Sequence, residues 1–313
     1  MIQRNFRFTY RNGFKFDYTT YYMKHLMLWV LILLTLTANS QLITDSLPVE
    51  GHYRTFHFNK PTGNSKEKSL LFIMHGSGGS GLGIMKDAAK LEAIAAKENL
   101  LVVYPDGYLH FWNECRRSST ALANTENINE NDFFEQMISY FSKGYGIDEK
   151  KVFAAGVSGG GHMAYKLALT MPAKIRAITA IIANLPDSAW SDCSEAKKAL
   201  PVLIINGTLD PTNPYAGGEM FVNKASFGVV RSTENSFQYW AGLAGYKGEP
   251  VKKSLPDTDP NDKKTIESYT FKKRGRPEVI LLKVIGGKHD FPNDIDVFLF
   301  AWDFFKRQLP GKL

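Results

Sequence analysis

Three side chains of this 313-residue chain stand where nucleophilic acyl-transfer chemistry would need them. Ser158 is the centre of Gly156-Val157-Ser158-Gly159-Gly160, a G-x-S-x-G turn between the apolar run Val152–Ala155 and a helically spaced stretch from Met163. Such a strand-turn-helix bend forces its serine into a strained conformation, and the flanking glycines remove Cβ atoms that would clash. The hydroxyl then projects above the sheet edge, with the Gly159 amide beside it at a helix N-terminus. A glycine-rich turn whose serine only caps a helix is the plainer alternative. Asp210 follows the strand-like run Pro201–Asn206, where a carboxylate can orient a histidine, although a turn-forming aspartate would look the same. His289 lies in Gly286-Gly287-Lys288-His289 after the last apolar run, and of seven histidines only this one follows Asp210. Serine, acid and histidine thus come in one of the chain orders in which such triads recur.

His75-Gly76-Ser77-Gly78-Gly79-Ser80-Gly81 follows a second apolar run, Ser69–Met74, and supports two competing readings. Gly76, Gly78 and Gly81 satisfy G-x-G-x-x-G ahead of an expected helix at Leu82–Asn99, with Asp106 after the next strand as a ribose-binding acid. Read as H-G-x-G-G, the loop instead aims the Ser77 amide, with that of Gly159, at an oxyanion. The second reading requires an elbow downstream, and one is present. A secreted location also disfavours a diffusible nicotinamide, so no cofactor is expected. Trp112 and Phe291, with His75, are candidate pocket-lining groups, for which simple packing is the alternative. Cys115 and Cys193 could form one disulfide in an oxidising compartment. No Cys/His cluster has ligand spacing, so no metal site is expected.

The elements that must position these groups read as strands alternating with helices. Tyr53–Phe58 alternates like an antiparallel strand near a sheet edge. Ser69–Met74, Leu100–Tyr104, Ile178–Ala183 and Pro201–Asn206 are near-continuous apolar runs, the pattern of strands covered on both faces. Asn131–Lys143 puts Phe134, Met137, Ile138 and Phe141 on one helix face, and Glu234–Leu243 is helix-like. Ile266–Phe271 and Val279–Ile285 add strands, and a closing helix at Asp294–Gln308 would dock Phe298, Trp302 and Phe305 on the sheet. Asn213–Gly228 has little periodic signal, and Lys247–Lys264 reads as a charged surface excursion. The alternation predicts an α/β fold with a mostly parallel central sheet and helices on both faces.

Net charge is +7, but Arg4, Arg7, Arg11, Lys15 and Lys24 against Asp17 put +4 of it in the first forty residues. The remaining +3 is too little for a nucleic-acid footprint. Leu26–Leu36 is apolar, preceded by Lys24 and followed by Ala38-Asn39-Ser40, the layout of a secretory signal with its cleavage site. Met23–Ser40 forms a complete signal alone, so Met23 is the expected start. The expected organisation is therefore an N-terminal extension and signal over 1–40 and one catalytic domain over 41–313. The apolar run is short for a span, which predicts a secreted or periplasmic protein without a stable membrane span after cleavage. An uncleaved signal anchor is the alternative.

Together these motifs resemble the polyhydroxybutyrate depolymerase and feruloyl esterase group of secreted α/β-hydrolases, related to carbohydrate esterases. The resemblance covers about residues 50–308 and rests on HGSGGS, YPDG with Trp112-Asn113, Asn131-Asp132, GVSGGGHMAYKLA, PVLIINGTLDPTNPYAGG and GGKH. It implies an α/β-hydrolase fold, Ser158 as nucleophile, Asp210 as acid, His289 as base, and Ser77 with Gly159 as oxyanion donors. A small-molecule or oligosaccharide ester is the implied substrate. Three features depart from the family pattern: Gly159 replaces its usual Asn or Ala, Phe291 replaces a tryptophan, and the cysteine pair usual around the late strands is missing near Tyr246 and Lys273. Without an added polymer-binding module, soluble hydroxyalkanoate, feruloyl or acetyl-sugar esters fit better than an insoluble polyester. An exopeptidase on the same fold and a catalytically silent binding protein are the rival functions.

Overall fold

A ten-stranded sheet divides the computed structural model, which describes residues 41–61, 66–222, 224–309 and 311. The expected signal segment lies outside the described residues. In chain order the strands are β1 (Leu42–Val49), β2 (His52–Asn59), β3 (Lys68–Met74), β4 (Leu100–Pro105), β5 (Ile147–Val157), β6 (Ala177–Ile181) and β7 (Val202–Gly207). A separate hairpin, β8 (Gly218–Val222) with β9 (Ala225–Val230), precedes β10 (Val251–Ser254), β11 (Thr265–Phe271) and β12 (Val279–Ile285). The sheet order is β1-β2-β4-β3-β5-β6-β7-β12-β11-β10. Strands β4 to β12 in that order are mutually parallel, and antiparallel strands finish both edges.

The helices are α1 (Gly81–Asp87), α2 (Ala89–Ala95), α3 (Leu122–Thr125), α4 (Glu130–Tyr145), α5 (Gly159–Thr170), α6 (Thr233–Leu243) and α7 (Val297–Lys306). Side chains alternate across a strand, and the two sides of this sheet are separate cores. Leu70, Phe72 and Met74 join Phe134, Phe141, Leu167 and Trp240, so α4, α5 and α6 cover one face. Leu71 and Ile73 join Leu91, Phe298, Trp302 and Phe305, so α1, α2 and α7 cover the other. Two covered faces explain why the central strands read as unbroken apolar runs. Each large apolar side chain so buried contributes roughly 1.5–3 kcal/mol.

Three local expectations need correction. The helix expected over Leu82–Asn99 is two short helices meeting at Ala88. Buried Ile84, Ala88, Leu91 and Ala95 keep helical spacing through the break, so periodicity does not reveal it. Tyr53–Phe58 lies, as expected, in an antiparallel strand near a sheet edge, β2, with β1 paired outside it and only Val49 of β1 fully buried. The featureless stretch from Asn213 holds the hairpin β8–β9, whose buried apolar side chains are Met220, Phe227 and Val230. The charged stretch from Lys247 holds β10, an edge strand exposed at all four residues, whose lysines discourage further pairing.

Candidate active site

Ser158 joins β5 to α5 with φ 53° and ψ −116°, a strained backbone for a residue with a side chain. The bend is closed so tightly that a Cβ on Gly156 would lie 2.0 Å from the Gly160 carbonyl oxygen. The Ser158 amide donates to the Ile181 carbonyl at 2.9 Å, fixing the turn to β6. Its side chain gives no capping hydrogen bond to α5, so the structure disfavours the alternative in which the serine is a cap.

The structure brings Asp210 and His289 to this serine. His289 Nε2 lies 2.9 Å from Ser158 Oγ, and its Nδ1 lies 2.7 Å from Asp210 Oδ2. The other carboxylate oxygen of Asp210 accepts the backbone amides of Thr212 and Asn213, both at 2.8 Å. With both oxygens engaged in a site only 6% exposed, the carboxylate has one orientation available. An acceptor at Nδ1 places the ring proton there and leaves Nε2 free to accept the serine proton. The two loops are stitched to each other, since β7 and β12 are parallel neighbours. The Leu209 amide donates to the Gly287 carbonyl at 2.8 Å, and the Gly286 amide to Thr208 Oγ1 at 2.9 Å.

A buried polar knot supports Asp210 from behind. Asn213 Oδ1 accepts the Asn184 amide at 3.2 Å, while Asn184 Oδ1 accepts from Asn206 Nδ2 at 2.8 Å and Thr233 Oγ1 at 3.0 Å. Sequence reasoning missed these residues, because an asparagine at a strand end reads as an ordinary turn former. Asn206, closing an otherwise apolar strand, was the available signal.

His75 and Trp112 do not line the pocket; each is 2% exposed. His75 Nδ1 donates to the Gly76 carbonyl at 2.7 Å and Nε2 accepts the Gly107 amide at 2.9 Å, which requires a neutral ring. Burial pushes its pKa down, partly opposed by the Gly76 contact. Trp112 Nε1 donates to the His75 carbonyl at 2.9 Å. Both residues therefore brace the Gly76-Ser77 loop from inside. Asp106 likewise turns inward, accepting the Gly81 amide at 2.6 Å and meeting His57 Nε2 at 3.0 Å, so the role of a ribose acid is not supported.

A cavity of about 430 Å³ opens over Ser158. Gly76 and Ser77 form one side, Val157, Ile182 and Phe291 an apolar wall, and Asp290 lies near His289. Ile182 has φ 46°, an uncommon conformation for a β-branched residue. Asp290 is paired with Lys264 at 3.0 Å. Farther out, the Cys115–Cys193 disulfide ties the loop after β4 to the segment after β6. Among the described residues no group of three or more His, Cys, Asp or Glu could hold a metal ion, and no helix is long and apolar enough to cross a membrane.

A mostly parallel sheet with a serine at the strand-helix elbow of its central strand is the α/β-hydrolase arrangement. Residues 61–239 match the phospholipase/carboxylesterase family, more than half of the chain, and the chain belongs to that family of ester hydrolases. It is 29% identical over 181 residues to the protein named probable feruloyl esterase C in Aspergillus terreus, covering 55% of this chain and 60% of that one. It is 29% identical over 164 residues to feruloyl esterase C of Emericella nidulans, covering 51% of this chain and 55% of that one. The chain thus spans less than two thirds of the length of these relatives. An acetyl xylan esterase from Aspergillus awamori superposes with a TM-score of 0.58 at 15% identity, over 84% of this chain and 99% of that one, a likeness of fold.

Proposed function

We propose that this chain is an exported serine hydrolase of soluble carboxylic esters, of the feruloyl or acetyl-sugar type. The hydrogen-bonded line Ser158–His289–Asp210 at the floor of an open cavity carries that reading. His289 takes the Ser158 proton as Oγ attacks the ester carbonyl, and Asp210 holds the ring tautomer and balances the imidazolium. The amides of Ser77 and Gly159 stabilise the tetrahedral oxyanion, each contributing about 3 kcal/mol to barrier lowering. His289 then protonates the departing alkoxide. Water, deprotonated by the same ring, attacks the acyl-enzyme and releases the acid.

Relatives named as feruloyl esterases support the ester class, and the mixed apolar and polar cavity suits a small acyl group attached to a sugar. Residues 41–313 act as the catalytic domain, and 1–40 as extension and signal. A disulfide is consistent with export to an oxidising compartment.

A panel of aryl acetates, methyl ferulate, acetylated xylooligosaccharides and hydroxybutyrate oligomers, run beside Ser158→Ala, tests the proposal. Turnover of at least one ester by the wild type and none by the variant is expected. Wild-type protein that hydrolyses none of them and resists a fluorophosphonate probe would instead be a silent binding protein.

A further inference from the structure

Residues 41–313 carry a net charge of only +3, and that charge is unevenly placed. The turn between β11 and β12 presents Lys272, Lys273, Arg274 and Arg276, and the end of α7 adds Lys306 and Arg307 across a groove of about 740 Å³. Glu278 and Asp303 are the acidic residues of the lining. Six cations against two carboxylates leave +4, so the domain outside this groove is close to neutral and the positive field is concentrated in one concavity.

Part of the groove is held in place. The Glu278 carboxylate, 6% exposed, engages Lys272 at 3.5 Å, Arg307 at 3.2 Å and Gln308 Nε2 at 2.8 Å. Lys306 pairs with Asp303 at 2.8 Å and Glu98 at 3.5 Å. Among the described residues, no carboxylate pairs with Lys273, Arg274 or Arg276, all three exposed at the rim. Arg276 donates one guanidinium hydrogen to the Gly245 carbonyl, which anchors it beside the groove.

The groove lies at the opposite sheet edge from the elbow. The β11–β12 turn leads into the N-terminal end of β12, whereas Ser158, Asp210 and His289 follow the C-terminal ends of β5, β7 and β12. At about 3.3 Å per residue, the seven residues of β12 separate the two edges by roughly 20 Å. An occupant of the groove therefore leaves the catalytic cavity open.

We propose that this groove binds an acidic polysaccharide through the carboxylates of successive uronate residues, resting on the reading of the site as a sugar-ester hydrolase. Guanidinium forks match carboxylates in two-point contacts and ammonium groups add point charges. Each exposed pair is weak, but several on one chain combine through effective concentration. Among the described residues no aromatic side chain is in the groove lining, so the aromatic platform on which single-strand binders stack successive bases is missing there. A polymer held at this edge keeps its own ester groups at high local concentration around the domain.

The test is binding of Ser158→Ala protein to polygalacturonate, neutral xylan and single-stranded DNA of equal charge at 50 and 300 mM salt, with kinetics of otherwise wild-type protein on acetylated polygalacturonate and a small aryl acetate. Polygalacturonate should bind, weaken at least fivefold at the higher salt, and exceed both other polymers. Lys273→Glu with Arg274→Glu should abolish that binding and raise KM for the polymer at least fivefold, with kcat on the aryl acetate unchanged. Lys273→Arg with Arg274→Lys should retain most of it. Equal binding of neutral xylan, tighter binding of DNA, or a charge-reversed variant that binds like wild type would each overturn the proposal. Polygalacturonate binding by a protein inactive on every ester would sink the catalytic reading and leave the groove assignment standing.

Discussion

The Cβ that Gly159 lacks would fall 2.6 Å from Ser77 Oγ and 3.0 Å from Ser77 N. The hydroxyl can rotate away, but the amide is backbone and moves only with its loop. The two proposed oxyanion donors are therefore set against each other without room for a side chain between them, in a chain whose resembling family usually has Asn or Ala at this position. Gly159→Ala should push the Ser77 amide outward and lower kcat on an aryl acetate by about 10- to 100-fold, short of the 10²–10³ typical of losing a donor outright. Ser77→Gly keeps the amide and should stay near wild type alone. In the double variant it should recover part of the lost rate. A Gly159→Ala enzyme with unaltered kcat would remove Ser77 from the oxyanion assignment.

Asn213 gives Asp210 one amide and takes another from Asn184. Asn213→Ala keeps the backbone bond to the carboxylate but strands the buried Asn184 amide, at about 1–3 kcal/mol. Urea unfolding should show that loss, and kcat should fall with little change in KM because the acid loop is less firmly held. Asp210→Asn removes the anion itself and should lower kcat by about 10⁴ in a folded protein. Should Asn213→Ala lose stability without any loss of kcat, the knot is scaffolding alone.

Much of this architecture was legible because its signals are local. Central strands covered on both faces leave apolar runs, and the elbow announces itself through glycines that contact forbids replacing. Chain order then narrowed the histidine to His289, which meets Ser158 and Asp210. What stayed hidden depends on direction or on thin burial. His75 and Trp112 sit at the expected sheet edge but point inward, a choice made by tertiary hydrogen bonds to Gly107 and between the two residues. Strands β1 and β10 and the hairpin β8–β9 bury too little to leave a period.

The His162 ring is wholly buried one helical turn beyond Ser158, with neither nitrogen in hydrogen-bond geometry among the described residues. Burial pushes its pKa well below the ordinary imidazole value, and the charge of Arg116 adds to that shift. His75 is shifted the same way, mainly by burial. In both cases the unfolded chain binds the proton more readily, so stability is complete above about pH 6.5 and declines as pH falls below it. Each ring can contribute at most about 1.4 kcal/mol per pH unit. Asp106 is shifted down, its burial outweighed by the His57 and Gly81 hydrogen bonds, so its contribution survives until the carboxylate range. Urea midpoints at pH 5, 6, 7 and 8 should fall toward acid, and His162→Leu should flatten the slope. An unchanged slope in that variant would assign the effect elsewhere.

The Cys115–Cys193 bond closes a loop of 78 residues. Constraining a loop of that size in the unfolded chain contributes about 4 kcal/mol, within the usual range of about 2–5. The bond also secures the segment that braces the oxyanion side: Trp112, three residues before Cys115, donates to the His75 carbonyl, and the Arg117 amide donates to the Trp190 carbonyl at 2.9 Å. Ser158, Asp210 and His289 hang instead from β5, β7 and β12, whose pairings do not pass through the disulfide. Cys115→Ala with Cys193→Ala should therefore lower Tm by about 8–16 °C while sparing most of the aryl-acetate kcat at 25 °C. Reducing agent should reproduce the stability loss in wild type and do nothing to the double variant. A variant that keeps its Tm but loses kcat would make the disulfide a support of the catalytic loops rather than of the fold.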